Sequence, residues 1–156
     1  SLSATSPTLP GGYTYFTRFG WVRTTSGSVL FSTLQNGNKA RYIAPPLPTM
    51  GSASVGNITT PSYAPVAVAT FVPPTASAIT LVAQATGTNG TVIVAPNNSY
   101  GAWNSTTNAP PLVLQSGGGS STDTETIEYL LESGSIYWAS QGASNRLQCY
   151  GWIDNL

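Results

Sequence analysis

The sequence predicts an all-β fold, an antiparallel β-sandwich of jelly-roll type, built as a single domain over residues 1–156. Three observations predict it. Short runs rich in Val, Ile, Thr, Tyr, Phe and Trp recur along the chain, and these side chains suit a pleated, half-buried surface. Between the runs fall Gly, Pro, Asn and Ser clusters, which supply turns. Helical periodicity is nearly missing, so the strands must pack on one another as a sandwich or barrel.

The strands expected from these signals span 13–24, 28–34, 39–43, 65–72, 78–86, 90–95, 111–115, 124–132, 135–139 and 146–153. The first gathers Tyr13, Tyr15, Phe16, Phe19 and Trp21. So many rings in one run imply burial. "TTSGSV" and "ATGTNGTVIV" read as hairpin punctuation, with glycine providing positive φ without a Cβ clash. The run "TETIEYLLE" has the best helix formers of the chain, yet Ile127, Tyr129 and Leu131 alternate with Thr126, Glu128 and Glu132. That is a strand period, with a short helix as the alternative. "APPLP", "FVPPT" and "APPLV" forbid helix interiors and central-strand positions. Residues 44–64 hold no convincing strand, and a connection so long in a compact domain is usually functional or poorly ordered. "QSGGGSSTDT" at 115–124 reads as a flexible loop.

One echo joins the two ends of the chain, "RFGWVR" at 18–23 and "CYGWID" at 149–154. Its simplest meaning is two strands, each needing a glycine where a neighbouring ring lies against the backbone.

Composition narrows the function. A chain of 156 residues is long enough to bury roughly 68–70% of its unfolded surface, so it needs no metal or disulfide staple. Five basic and five acidic residues make 6% of the chain, against about 25% in an ordinary domain. Cations so few and so scattered supply no footprint for a nucleic-acid backbone or an anionic membrane. No apolar run of spanning length and no signal peptide is expected. The opening Ser1 suggests a processed product or a fragment of something longer. Cys149, in "RLQCYGW", reads as a small buried apolar group.

Histidine does not occur, which removes the usual general base and the Ser-His-Asp and Cys-His arrangements. With one Cys besides, a zinc site is not expected. Glycosidase chemistry needs two carboxylates about 5–10 Å apart. On a strand Glu128 and Glu132 would share a face at wider spacing than a retaining pair requires, and a solvated strand face explains them better. "STDTETIE" lacks the Asp-x-Asx-x-Asx-Gly calcium loop, and "QSGGGSS" lacks the Lys-Ser/Thr of a phosphate cradle. No enzyme, cofactor or metal is therefore expected. Glycosylation sequons at Asn57, Asn89, Asn97 and Asn104 follow from the abundance of Asn, Ser and Thr.

The positive feature is "APNNSYGAWNSTTNAPP", a loop between two proline boundaries. Asn97, Asn98, Tyr100, Trp103 and Asn104 are the candidate ligand-binding residues. A ring face can cover the apolar side of a pyranose while amides pair with its hydroxyls. The competing expectation is that Trp103 plugs the sandwich end or packs on a neighbouring subunit.

"SPTLPGGYTYFTRFGWVRTTSGSVLFSTLQNG" resembles a segment recurring in virion proteins of tailed bacteriophages, tail-fibre and other structural proteins among them. Pro7, Leu9, Pro10, Gly12, Tyr13, Gly20, Gln35 and Gly37 carry the likeness, and "SGSIYWAS" followed by "LQCYGWIDNL" resembles the close of such chains. It covers roughly the first forty and the last twenty-five residues. The resemblance implies the C-terminal β-rich domain of a longer virion protein in a symmetric assembly such as a homotrimer, with no catalytic residue. The expected function is a phage virion surface component of tail-fibre, receptor-binding type. Its expected partners are copies of itself, other virion proteins and host-surface saccharide, not nucleic acid or membrane. The alternatives are a capsid decoration or head-fibre protein, a carbohydrate-binding module of a secreted bacterial enzyme, and a glycan-cleaving tailspike.

Overall fold

The computed structural model describes residues 9, 11–12, 21–24 and 27–155. Among the described residues ten strands run as β1 Thr33–Asn36, β2 Lys39–Tyr42, β3 Thr49–Ser52, β4 Ala64–Ala67, β5 Ala76–Thr86, β6 Thr91–Ala95, β7 Leu112–Gln115, β8 Thr122–Leu130, β9 Ser135–Gln141 and β10 Arg146–Asp154. They form two antiparallel sheets packed face to face, the expected all-β sandwich. The larger sheet has the order β1-β2-β10-β5-β8, with β3 also pairing β10; the smaller is β4-β9-β6-β7. Strands β2 and β3 share one edge of β10, meeting it at Gly151–Ile153 and at Arg146–Gln148. Between β3 and β10 every connection crosses between the sheets except that from β6 to β7.

The core follows from alternation. Ile79, Leu81, Ala83 and Ala85 of β5 and Leu147, Cys149 and Trp152 of β10 turn inward with Tyr42. They meet Val92 and Val94 of β6 and Ile136 and Trp138 of β9. Trp152 stacks edge-on against Trp21 and Tyr42, at centroid distances of 5.3 and 5.4 Å, so the half-buried Trp21 packs against the core. Two tyrosine hydroxyls satisfy themselves inside: Tyr42 donates to the carbonyl of Phe71 at 2.6 Å, and Tyr129 reaches across the layers to the carbonyl of Val94 at 2.8 Å.

Several expectations are corrected. The stretch 44–64 contains β3, which lacks β-branched alternation and is held by backbone pairing to β10. The strand expected over 65–72 stops at Ala67, because a 3-10 turn at Val68–Thr70 delivers Val68, Phe71 and Val72 to the core. The strand expected over 28–34 is shifted to β1, with only a bridge from Thr24 to Leu30 before it. "TTSGSV" does turn the chain back, with Ser28 rather than a glycine carrying positive φ. "ATGTNGTVIV" is a turn, with positive φ at Gly87 and Asn89, but β5 and β6 lie in different sheets and make no hairpin. The rest of the strand expected over 13–24, and Gly20 of the echo, lie outside the described residues. Gly151 faces backbone rather than a ring: a Cβ there would meet the carbonyl oxygen of Ala40 at 2.3 Å. The ring-on-glycine contact occurs at Gly51, beneath Trp138.

Candidate functional site

Strand β6 is buried on both faces. Val92 and Val94 face the core, so Ile93 faces outward and needs a cover. Two loops provide it. Ile58, Ile93 and Ala139 form a second apolar cluster, and Tyr63 and Trp103 pack against it. Residues 53–63 supply half of the cover. Val55 bridges to Ser140 of β9, Asn57 and Ser62 exchange backbone hydrogen bonds of 3.0 and 3.1 Å, and the Asn57 carboxamide oxygen accepts from the N–H groups of Thr59 and Thr60. Gly56 has positive φ and no room for a Cβ against the Ser62 carbonyl, so the sharp turn needs glycine.

The other half is the predicted binding loop, between β6 and β7. The Trp103 N–H donates to the Ile58 carbonyl at 3.0 Å, and the Tyr63 hydroxyl donates to the Gly101 carbonyl at 3.0 Å. These two bonds clamp one loop on the other. Asn97 accepts from the Ser99 N–H at 2.9 Å and donates to Glu132 at 2.8 Å, which ties the loop root to the β8–β9 turn. Asn108 donates to the Ser99 carbonyl at 2.8 Å and its own carbonyl accepts from Gly101 at 2.7 Å.

All five predicted residues lie on this loop, and their roles divide. Asn97 is engaged in the loop's own bonding. Trp103 is half-buried and does part of the plugging that the competing expectation assigned to it. Tyr100 is half-exposed, within electrostatic reach of Tyr63 and Tyr129. Burial first, then this neighbour, raises the pKa of both Tyr63 and Tyr129, which keeps their hydroxyls protonated donors. Asn98 and Asn104 are exposed, and among the described residues their side chains hold no hydrogen bond. Glu128 and Glu132 do not share a strand face, since β8 ends at Leu130 and Glu132 is bonded to Asn97 in the following turn.

Sequence reasoning marks 44–64 as a functional or poorly ordered connection but names no binding residue in it. Ile58 lines a hollow of about 250 Å³ with Ser54, Asn57, Thr59, Ser140 and Gln141. The Asn-x-Thr at Asn57 was its signal, as a side-chain-capped turn rather than a sequon. The combined surface offers ring edges, amides, hydroxyls and no uncommitted carboxylate. That chemistry suits an uncharged, hydroxyl-rich ligand. Compared with the models of known protein families and with curated proteins, the chain matches none.

Proposed function

We propose that this chain is a surface domain of a phage virion, of tail-fibre or receptor-binding type, that assembles as a homo-oligomer and holds host-surface saccharide or a neighbouring virion protein on its clamped loops. The observation that carries the reading is the β6–β7 loop. It is fixed to the 53–63 loop by the Trp103–Ile58 and Tyr63–Gly101 bonds while Asn98 and Asn104 are left unspent on the same loop as Tyr100. A loop immobilised in advance loses little freedom when it binds, which favours recognition over mobility. We read the orders β3-β10-β5-β8 and β4-β9-β6-β7 as a jelly roll, an architecture that places loops at the ends of two closed layers.

The test is binding to an immobilised panel of bacterial surface polysaccharides. Wild-type protein is expected to bind a subset, and Asn98→Ala with Asn104→Ala is expected to weaken it at least about tenfold, the loss of one or two well-made hydrogen bonds. Both positions are exposed, so the unfolding midpoint should be unchanged. Binding by wild type that survives this double change together with Tyr100→Ala would remove the loop from the site. Absence of binding across the panel would leave the neighbouring-protein form of the reading, tested by locating the domain in a density map of the source particle.

A further inference from the structure

The outer face of the larger sheet is uneven from edge to edge. With Ala40, Tyr42, Ile79, Leu81, Tyr129 and Trp152 turned inward, alternate positions point outward. Pairing then sets Leu34, Arg41, Gly151, Thr80 and Glu128 in one transverse row across β1, β2, β10, β5 and β8. The row beside it is Asn36, Lys39, Ile153, Ala78 and Leu130.

The two ends of these rows differ in kind. At the β1–β2 end, Leu30, Leu34 and Ile43 are 60%, 61% and 59% exposed, and exposed Lys39 and Arg41 stand among them. Leu34, Asn36, Lys39 and Arg41 line an open hollow of about 250 Å³, and the Arg41 guanidinium is held over the Tyr150 ring at 5.3 Å. At the β8 end, Leu130 is 74% exposed and Glu128 lies on the same outward face. Exposed aliphatic side chains grouped as they are at the β1–β2 end mark a contact surface.

We propose that these edges are the two halves of a head-to-tail interface between copies of this chain, in which Leu130 of one copy enters the hollow on the next and Glu128 pairs with Arg41. Charge selects this arrangement. A two-fold contact of one edge with the same edge would set Lys39 and Arg41 against their own copies, or Glu128 against its own, whereas a head-to-tail contact of the two edges joins opposite signs. The two halves are about 19 Å apart across four strand spacings, so each copy meets two different neighbours. Rotation about an axis parallel to the strands keeps every transverse row at its level, which brings the Arg41 row to Glu128 and the Lys39 row to Leu130, and closes a ring. This rests on the assembling-domain reading above and names the surface that assembles.

The test is the mass of the purified chain by light scattering at tens of micromolar. Wild type is expected to be a closed homo-oligomer. Arg41→Glu and Glu128→Arg, each alone, should weaken assembly about tenfold or more, and the two combined in one chain should recover it. Leu130→Ser and Leu34→Ser should also weaken it, with an unchanged circular dichroism spectrum because both side chains are exposed. A wild-type monomer would overturn both this interface and the assembling reading. A wild-type oligomer whose mass survives Arg41→Glu and Leu130→Ser, or singles that dissociate without recovery in the combined chain, would overturn the interface alone.

Discussion

Asn145 shows how much one side chain can hold. It is fully buried at one end of the sandwich, where its carboxamide oxygen accepts from the Thr86 N–H at 2.8 Å. Its amide nitrogen lies 3.1 Å from the Thr91 carbonyl, 2.9 Å from the Ser140 hydroxyl and 3.0 Å from the Gln141 carbonyl. The side chain thus joins the end of β5, the start of β6 and the end of β9, while its backbone carbonyl receives the Ala53 N–H just past β3. Asn145→Ala leaves the Thr86 N–H and the Thr91 carbonyl without these partners in a dry site. The expected loss is about 2–4 kcal/mol by chemical denaturation, and a change below about 0.5 kcal/mol would refute the assignment. The sequence concealed this residue because "QGASNR" reads as turn composition, where asparagine is ordinary. The candidate loop was legible for the opposite reason: Tyr100 and Trp103 stand out among amides and prolines. Which amides stay unspent was not legible, since Asn97 and Asn98 are chemically identical and only the fold gives one of them to Glu132.

Among the elements, those that pack on both sides were the legible ones. Strands β5, β6, β9 and β10 carry dense β-branched and aromatic side chains because they form the middle of each sheet, and β8 alternates because one face is solvated. Strand β3 was missed because its sequence, Thr-Met-Gly-Ser, has no such pattern. What holds it is close approach: the backbone at Gly51 lies against Trp138, where a Cβ would come within 2.4 Å of the ring. Trp138 is buried and bounded by the core, so it cannot yield easily. Gly51→Ala should therefore push β3 off β10 or displace Trp138. The expected cost is roughly 1–3 kcal/mol, the range for overpacking a filled interior, with faster amide exchange in β3 than in the rest of its sheet. Uniform exchange across that sheet in the variant would place the strain elsewhere. The 3-10 turn after β4 was hidden by a similar logic. "PVAVATFV" has strand composition throughout, and only the need to bring Val68, Phe71 and Val72 to the core bends it.

For the whole molecule one consequence of this composition is a pH response on the alkaline side. No histidine is present, so nothing of that kind titrates between the carboxylates and the thiol. On the alkaline side three buried acids wait. Burial pushes the Cys149 thiol up from 9.0 to about 12, against smaller opposing effects of the Gly151 backbone and Arg23. Burial likewise pushes Tyr42 and Tyr129 well above the ordinary tyrosine value of 10.0. Each folded-state value lies above the unfolded one, so the full stability is present below the unfolded value, where both states keep the proton. Above it the unfolded chain ionises while the folded chain cannot, and stability falls by about 1.4 kcal/mol per pH unit for each such group. The loss should begin near pH 9 from Cys149, steepen above pH 10 as the tyrosines join, and reach on the order of 5 kcal/mol by pH 11, comparable with the stability of many domains. Denaturation midpoints at a series of pH values between 7 and 11 would trace it. Cys149→Ala assigns the first part, because from pH 9 to pH 10 the variant should lose less than about half of what wild type loses. If wild type and variant fall in parallel there, the thiol is not the group responsible, and the dry interior around β10 would have to admit water or hydroxide below the pH at which the thiol ionises.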